Sequence, residues 1–224
     1  MRRRIYLMRH ADVAYFDASG KPLPPDSVGL TPEGARQAAA ARDLLSAVSF
    51  DRAITSGLRR TLETAHIVLE GRDAPELEAW IELQEIRGGR LRDIPDEELE
   101  EAFLGAFRGA VPLERRFLGG ETFASLVDRV LPAFNRLLND TSWDTALLVL
   151  HGGVNRAILS YALTGKRLFF GGIEQAAACI NILDVGEDLV IRAVNIKPYD
   201  LLHSSGRNTT MEAYYAQYRK YRKR

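Results

Sequence analysis

The chain has 224 residues, of which 46% are hydrophobic and 27% charged, enough to bury a full core and too apolar for disorder. Lys plus Arg and Asp plus Glu both number 30, so no global field draws the chain to nucleic acid or an acidic membrane, and any bound anion must meet local positive charge. The single cysteine, Cys179, excludes an intramolecular disulfide, and its apolar surroundings predict a buried thiol in a reducing, cytoplasmic setting.

No segment approaches the roughly 20 apolar residues of a membrane span. The apolar run after Arg4 stops at Arg9, too short for a signal peptide. Ile5 to Met8 reads as a short buried strand. Residues 17–30 hold Gly20, Pro22, Pro24, Pro25 and Gly29, which make a loop. Thr31 is a good N-cap, Pro32 suits the first helical position and Glu33 suits the positive helix end. Ala38, Ala41, Leu45 and Val48 then mark one helical face. Arg52 to Thr55 reads as a second strand, and a second helix runs from Ser56 through Leu69. Residues 93–108 open on Asp93, Pro95 and a string of acids, a helix-opening composition. Phe123, Leu126, Val127, Val130, Phe134 and Leu137 form a strong helical stripe, with a kink expected near Pro132. Ala146 to Leu150 is a fully apolar strand, followed by a helix from about Val154 to Leu163. Residues 176–184 and 188–196 read as strands joined by a turn at Gly186, and 208–222 as a helix ending in a basic run.

No repeat or linker divides the chain, so a single domain over residues 1–224 is expected. Strands alternate with helices. That order predicts an α/β fold with three layers, α/β/α, around a mostly parallel central sheet. Sites in such sheets form at the carboxyl ends of strands. His10 stands at one such end, with Arg9 before it. His151 stands at another, with Gly152 and Gly153 after it. Arg60 lies one turn inside the second helix and leans back toward the same rim. Singly, such a histidine is more often structural and such an arginine a solvated charge. Two of each at three strand ends point to one anion pocket, because guanidiniums fit phosphate oxygens and the helix start after His151 offers free N–H groups.

These residues fall in motifs that resemble the histidine phosphatase superfamily, the phosphoglycerate mutase-like group. Arg9-His10-Ala11 matches its Arg-His-Gly opening. Leu30-Thr31-Pro32-Glu33-Gly34 with Gln37-Ala38 matches a second segment, and Ser56-Gly57-Leu58-Arg59-Arg60 with Thr64-Ala65 a third. Glu85 within Leu83 to Gly89, Gly119-Gly120-Glu121-Thr122 and His151-Gly152-Gly153 complete the series, in the family's order. The resemblance runs from about residue 4 to 160 and implies a phosphoglycerate mutase-like fold.

It also implies roles. His10 would attack phosphorus as a neutral imidazole. Arg9, Arg60 and His151, with Gly152 at the helix start, would hold the phosphoryl oxygens. Glu85 would act as general acid and then general base. No metal or other cofactor is implied, and the partner expected is a small phosphorylated substrate rather than nucleic acid or membrane. Three positions depart from the pattern. Ala11 replaces a glycine, at little cost if its backbone angles suit alanine. Gly57 replaces a common proline. Phe16 stands where many members carry a phosphate-contacting asparagine, which suggests an apolar wall beside the substrate. Tyr15, Trp80 and Phe117 are expected in the core rather than the pocket. The acid-rich Asp96 to Glu101 favours the phosphatase branch over a mutase-type phosphotransferase, whose longer insert carries basic residues. A non-catalytic phospho-ligand binding module with the same pocket is the further alternative. The basic tail reads as a solvated helix end.

Overall fold

The computed structural model describes residues 2–223. Six strands form one sheet: β1 (Arg3–Arg9), β2 (Arg52–Thr55), β3 (Leu77–Ala79), β4 (Thr145–Leu150), β5 (Ile180–Val185) and β6 (Leu189–Ile196). Their order is β3-β2-β4-β1-β5-β6. β3, β2, β4 and β1 pair in parallel, and β5 and β6 add an antiparallel hairpin beyond β1. The sheet is therefore mixed, with a parallel part that carries the rim of interest.

The central strands are apolar throughout because both faces are covered. Ile5, Leu7, Ala146, Leu148 and Leu150 face one core with α4 (Phe123–Asn139) and α5 (Gly152–Thr164). Met8, Leu147, Val149 and Ala53 face the other with α1 (Pro32–Leu44) and α2 (Arg59–Leu69). The period of two along each strand thus divides its side chains between two cores. A third cluster joins the short α3 (Leu99–Leu104) to the C-terminal α6 (Thr210–Arg222), through Leu99, Phe103 and Tyr218.

Several boundaries differ from the sequence reading. β3 has three residues, too few to carry a period, and escapes notice. Residues 93–108 form only the short α3 between turns, and within α3 the buried residues are Leu99 and Phe103. The second helix starts at Arg59 rather than Ser56, since Gly57 adopts φ +78°, which a proline there could not reach. β5 starts at Ile180, because residues 176–179 curl around the end of β1: Ala178 has φ +53° and its N–H donates to the His10 carbonyl at 3.1 Å. α4 runs on through Pro132. Pro132 and Asp128 both lie on the exposed side, so the carbonyl that loses its donor faces water.

α1 also fixes the chain just after His10. Thr31 caps the helix by accepting from the Gly34 N–H at 3.0 Å, and its own hydroxyl donates to the Asp12 carboxylate at 2.7 Å. The Asp12 N–H donates to Gln37 Oε1 at 3.0 Å. The approach is so close that a Cβ on Gly34 would overlap the Asp12 carbonyl oxygen. Gly34→Ala is expected to cost about 1–3 kcal/mol, read as a lower urea midpoint; an unchanged midpoint would show that residue 12 is not pinned there.

Candidate active site

β1 and β4 lie side by side with Arg9 opposite Leu150, so the residues that follow both strands emerge together. The His10 N–H donates to the Leu150 carbonyl at 2.9 Å. The imidazoles of His10 and His151 meet with ring centroids 5.2 Å apart. Arg60 reaches them from the first turn of α2, and Arg9 from the last position of β1. All four side chains are buried, Arg60 at 2% exposure and His151 at 0%.

Hydrogen bonds fix each group. His10 Nδ1 lies 2.8 Å from the Ala11 carbonyl. A carbonyl only accepts, so Nδ1 carries the proton and Nε2 the free lone pair. Arg9 donates through Nη1 to the Gln175 carbonyl at 2.6 Å and to Thr210 Oγ1 at 2.9 Å. Arg60 Nη1 donates to the Pro25 carbonyl at 2.6 Å. His151 Nε2 lies 2.8 Å from Ser56 Oγ. Among the described residues, three buried side-chain nitrogen or oxygen atoms have no partner: Arg9 Nε, Arg60 Nε and His151 Nδ1. Neither Arg9 nor Arg60 makes an ion pair with a carboxylate there.

Burial, reinforced by Arg9 and Arg60, holds the His10 pKa well below the ordinary imidazole range. Burial does the same for His151, with Arg60 and His10 adding to it. Both rings are therefore neutral near pH 7. Burial pushes the Cys179 thiol up to about 12, so it stays protonated there.

Glu85 sits at the start of α5. Both its oxygens lie 3.1 Å from the Gly153 N–H, and Oε1 accepts from the Ile86 N–H at 3.0 Å. A Cβ on residue 153 would come within 2.5 Å of that oxygen and push the carboxylate away, so glycine lets it sit there. The Glu85 carbonyl is held by Arg129 Nη2 at 3.1 Å, and Arg129 pairs with Glu121.

The structure thus brings Arg9, His10, Arg60 and His151 together, with Gly152 opening α5 beside them and Glu85 on the next N–H. Ala11 needs no left-handed backbone. Phe16 packs on Tyr214 and Tyr218 of α6, and Tyr15 lies over Arg60 at 5.8 Å. Tyr15 is thus at the site rather than in the core, whereas Trp80 and Phe117 pack in or against the core of α4 and α5. Sequence reasoning gave no role to Ser56, although it sits in the matched segment, and found no signal for Thr210, which lies 201 positions from Arg9.

A family model described as histidine phosphatase superfamily (branch 1) matches residues 5–196. The adenosylcobalamin/alpha-ribazole phosphatase of Salmonella typhimurium is 32% identical over 197 residues, covering 82% of this chain and 91% of its own. The glucosyl-3-phosphoglycerate phosphatase of Mycolicibacterium vanbaalenii is 31% identical over 172 residues, covering 73% and 75%. The crystal structure of the alpha-ribazole phosphatase from Shigella flexneri superposes with a TM-score of 0.66 at 26% identity, covering 86% of this chain and 96% of that one.

The buried imidazoles make stability depend on pH. Histidine in an unfolded chain titrates near 6.5, and the folded values lie lower, so on acidification protons bind the unfolded chain first. The stability that the neutral rings contribute is complete above about pH 6.5 and is lost as pH falls, at up to about 1.4 kcal/mol per pH unit for each ring. Urea midpoints are expected to drop between about pH 7.5 and 5.5, and to drop less in His151→Gln. An equal drop in both proteins would show that the His151 ring does not titrate as its burial requires.

Proposed function

This chain belongs to the histidine phosphatase superfamily, and we propose that it is a metal-independent phosphatase, hydrolysing small phosphate monoesters through a phosphohistidine on His10. One observation carries the reading. Two buried guanidiniums that pair with no carboxylate among the described residues stand beside a neutral imidazole whose Nε2 is left with the lone pair. Buried cations are normally paired. The anion that suits two arginines and a histidine N–H here is a phosphoryl group.

Nε2 of His10 attacks phosphorus in line with the leaving oxygen. The N–P bond forms as the P–O bond breaks. Glu85, protonated, gives its proton to the departing oxygen. Arg9 and Arg60 hold the equatorial oxygens, where charge builds. His151 adds Nδ1–H when the Ser56 hydroxyl donates to its Nε2. The Gly152 end of α5 adds its positive dipole end. In the second step Glu85, now a carboxylate, takes a proton from water. The new O–P bond forms, the N–P bond breaks, and inorganic phosphate leaves with His10 neutral again. The Ala11 carbonyl keeps His10 in the required tautomer in the free enzyme and stabilises the cationic phosphohistidine formed by attack.

The relatives' printed names include alpha-ribazole and glucosyl-3-phosphoglycerate phosphatases. Their leaving groups differ widely, so the shared chemistry lies at the phosphoryl group. The lone, protonated thiol of Cys179 fits a cytoplasmic enzyme.

His10→Ala is expected to abolish hydrolysis of p-nitrophenyl phosphate and to remove the acid-labile phosphoprotein trapped by rapid quenching of the wild type. Persistent turnover in that variant would end the nucleophile assignment. Glu85→Gln is expected to lower kcat by about 10²–10⁴ on an alkyl phosphate, and by much less on the nitrophenyl ester, whose leaving oxygen needs no proton. Equal losses on both esters would remove Glu85 from the acid role.

A further inference from the structure

Glu85 comes from a stretch without strand or helix. Residues 84–90 have no regular structure, and 87–90 are exposed. Leu83 and Ile86 anchor the stretch in the core, but neither fixes the backbone between or beyond them. A carboxylate that gives a proton to one oxygen and takes one from another must stand within hydrogen-bond reach of both. Its support therefore has to come from polar contacts.

Arg129, in the second turn of α4, makes five hydrogen bonds there. Nη1 donates to the Glu82 carbonyl at 2.7 Å and to the Gln84 carbonyl at 2.6 Å. Nη2 donates to the Glu85 carbonyl at 3.1 Å and to Glu121 Oε2 at 3.1 Å, and Nε donates to Glu121 Oε1 at 3.0 Å. A guanidinium has five N–H donors in a fixed plane, so none is left for a ligand. Arg9 and Arg60 differ: each keeps an Nε without a partner. Those two face a ligand, whereas Arg129 holds protein.

Glu121 ties down the same stretch, and it belongs to Gly119-Gly120-Glu121-Thr122, a motif with no part in the chemistry above. Its Oε2 accepts from the Arg87 N–H at 2.9 Å, and its own N–H donates to the Arg87 carbonyl at 2.8 Å. The Gly89 N–H donates to the Leu118 carbonyl at 3.0 Å. Two irregular segments thus pair backbone to backbone. A Cβ on Gly120 would lie 2.3 Å from the Arg87 carbonyl oxygen, so glycine permits that approach. Gly119 turns the chain at φ +73°. Thr122 caps α4 by accepting from the Ser125 N–H at 3.1 Å, which sets the start of the helix that carries Arg129.

We propose that Arg129 and Glu121 are positioning residues for proton transfer: together they hold the backbone of residues 82–87 so that the Glu85 carboxylate stands at the leaving oxygen, and neither touches the substrate. The proposal rests on the general-acid role given to Glu85 above. Moving a reacting group by about 1 Å costs up to about 10²-fold in rate, and here the cost falls on the step that needs the proton.

Arg129→Lys keeps the charge opposite Glu121 but has three donors on a flexible stem and cannot reproduce the five bonds. The test compares kcat/KM on phenyl phosphate and p-nitrophenyl phosphate, esters of nearly the same shape. The first has the poorer leaving group and needs the proton more. The ratio kcat/KM ends at release of the phenol, so it reports phosphohistidine formation without the later hydrolysis. Arg129→Lys is expected to lose about tenfold or more on phenyl phosphate and much less on the nitrophenyl ester. Placed on Glu85→Gln, it should cost nothing further on phenyl phosphate. Equal losses on both esters, or a full additional loss in the double variant, overturn the proposal and leave Arg129 a structural residue. If Arg129→Lys does not fold, Glu121→Gln decides by the same comparison. Hydrogen exchange at amides 86–89 is expected to speed up in Arg129→Lys while β1 and β4 stay as protected as in wild type; unchanged exchange there overturns the clamp. Turnover that is lost in His10→Ala and ester-dependent in Glu85→Gln, but not ester-dependent in Arg129→Lys, sinks this proposal alone. Absent turnover, turnover that survives His10→Ala, or equal losses on both esters in Glu85→Gln sink the phosphatase reading or its acid instead, and the exchange measurement still decides whether Arg129 holds the segment.

Discussion

Two guanidiniums buried without a carboxylate set the terms for the rest of this molecule. Several other arginines find acids: Arg129 pairs with Glu121, Arg52 with Glu78, Arg4 with Asp184. Arg9 and Arg60 are tied to backbone carbonyls of Gln175 and Pro25 instead. Carbonyls orient a guanidinium without cancelling its charge. The positive field that remains does two jobs. It suits the site to an anion, and it adds to the burial that keeps His10 and His151 from taking up protons. A nucleophilic imidazole and an oxyanion site have opposite needs in most settings, because one must stay neutral and the other must be positive. Assigning the charge to arginine, which stays protonated, and leaving histidine neutral resolves that conflict.

The sheet makes this arrangement possible. Parallel pairing of β1 with β4 brings His10 and His151 out at one rim, and β2 on the far side of β4 delivers Ser56 and Arg60 to the same place. The antiparallel hairpin of β5 and β6 closes the other flank. The residues before β5 bend around the end of β1, so that Ala178 holds the His10 carbonyl and Gln175 holds Arg9. Each catalytic candidate is therefore anchored on a strand end or a first helical turn. Such positions move little, which suits groups that must meet a phosphoryl centre within fractions of an ångström.

Small residues govern how closely these parts approach. Gly153 lets the Glu85 carboxylate sit on the first turn of α5, and Gly34 lets α1 press against residue 12. Gly57 turns the chain at φ +78° between β2 and α2, which frees Ser56 to reach His151. By contrast α6 is held by large rings. Such rings bury large areas and prefer edge-on or offset contacts, as Tyr214 makes with Tyr15.

The site was legible in the sequence because its parts are local signals. An apolar run of strand length followed by Arg9-His10, and another followed by His151-Gly152-Gly153, need no long-range information. Neither do the Thr31 cap or the stripe from Phe123 to Leu137. The aromatic spacing of α6 was visible too, as Tyr214 and Tyr218, yet its place was not. β3 was missed because Leu77 to Ala79 gains its strand form only by pairing with β2. Residues 176–178 looked like strand, and only the end of β1 bends them away. The sequence by itself determined the fold class and the cluster of candidate catalytic side chains, since burial periods and strand-end residues are written along neighbouring positions. The tertiary structure alone decided that Thr210 lies on Arg9 and that Gly153 holds Glu85. Those contacts join residues far apart in the chain, and no local preference specifies which distant surface a helix or a carboxylate will meet.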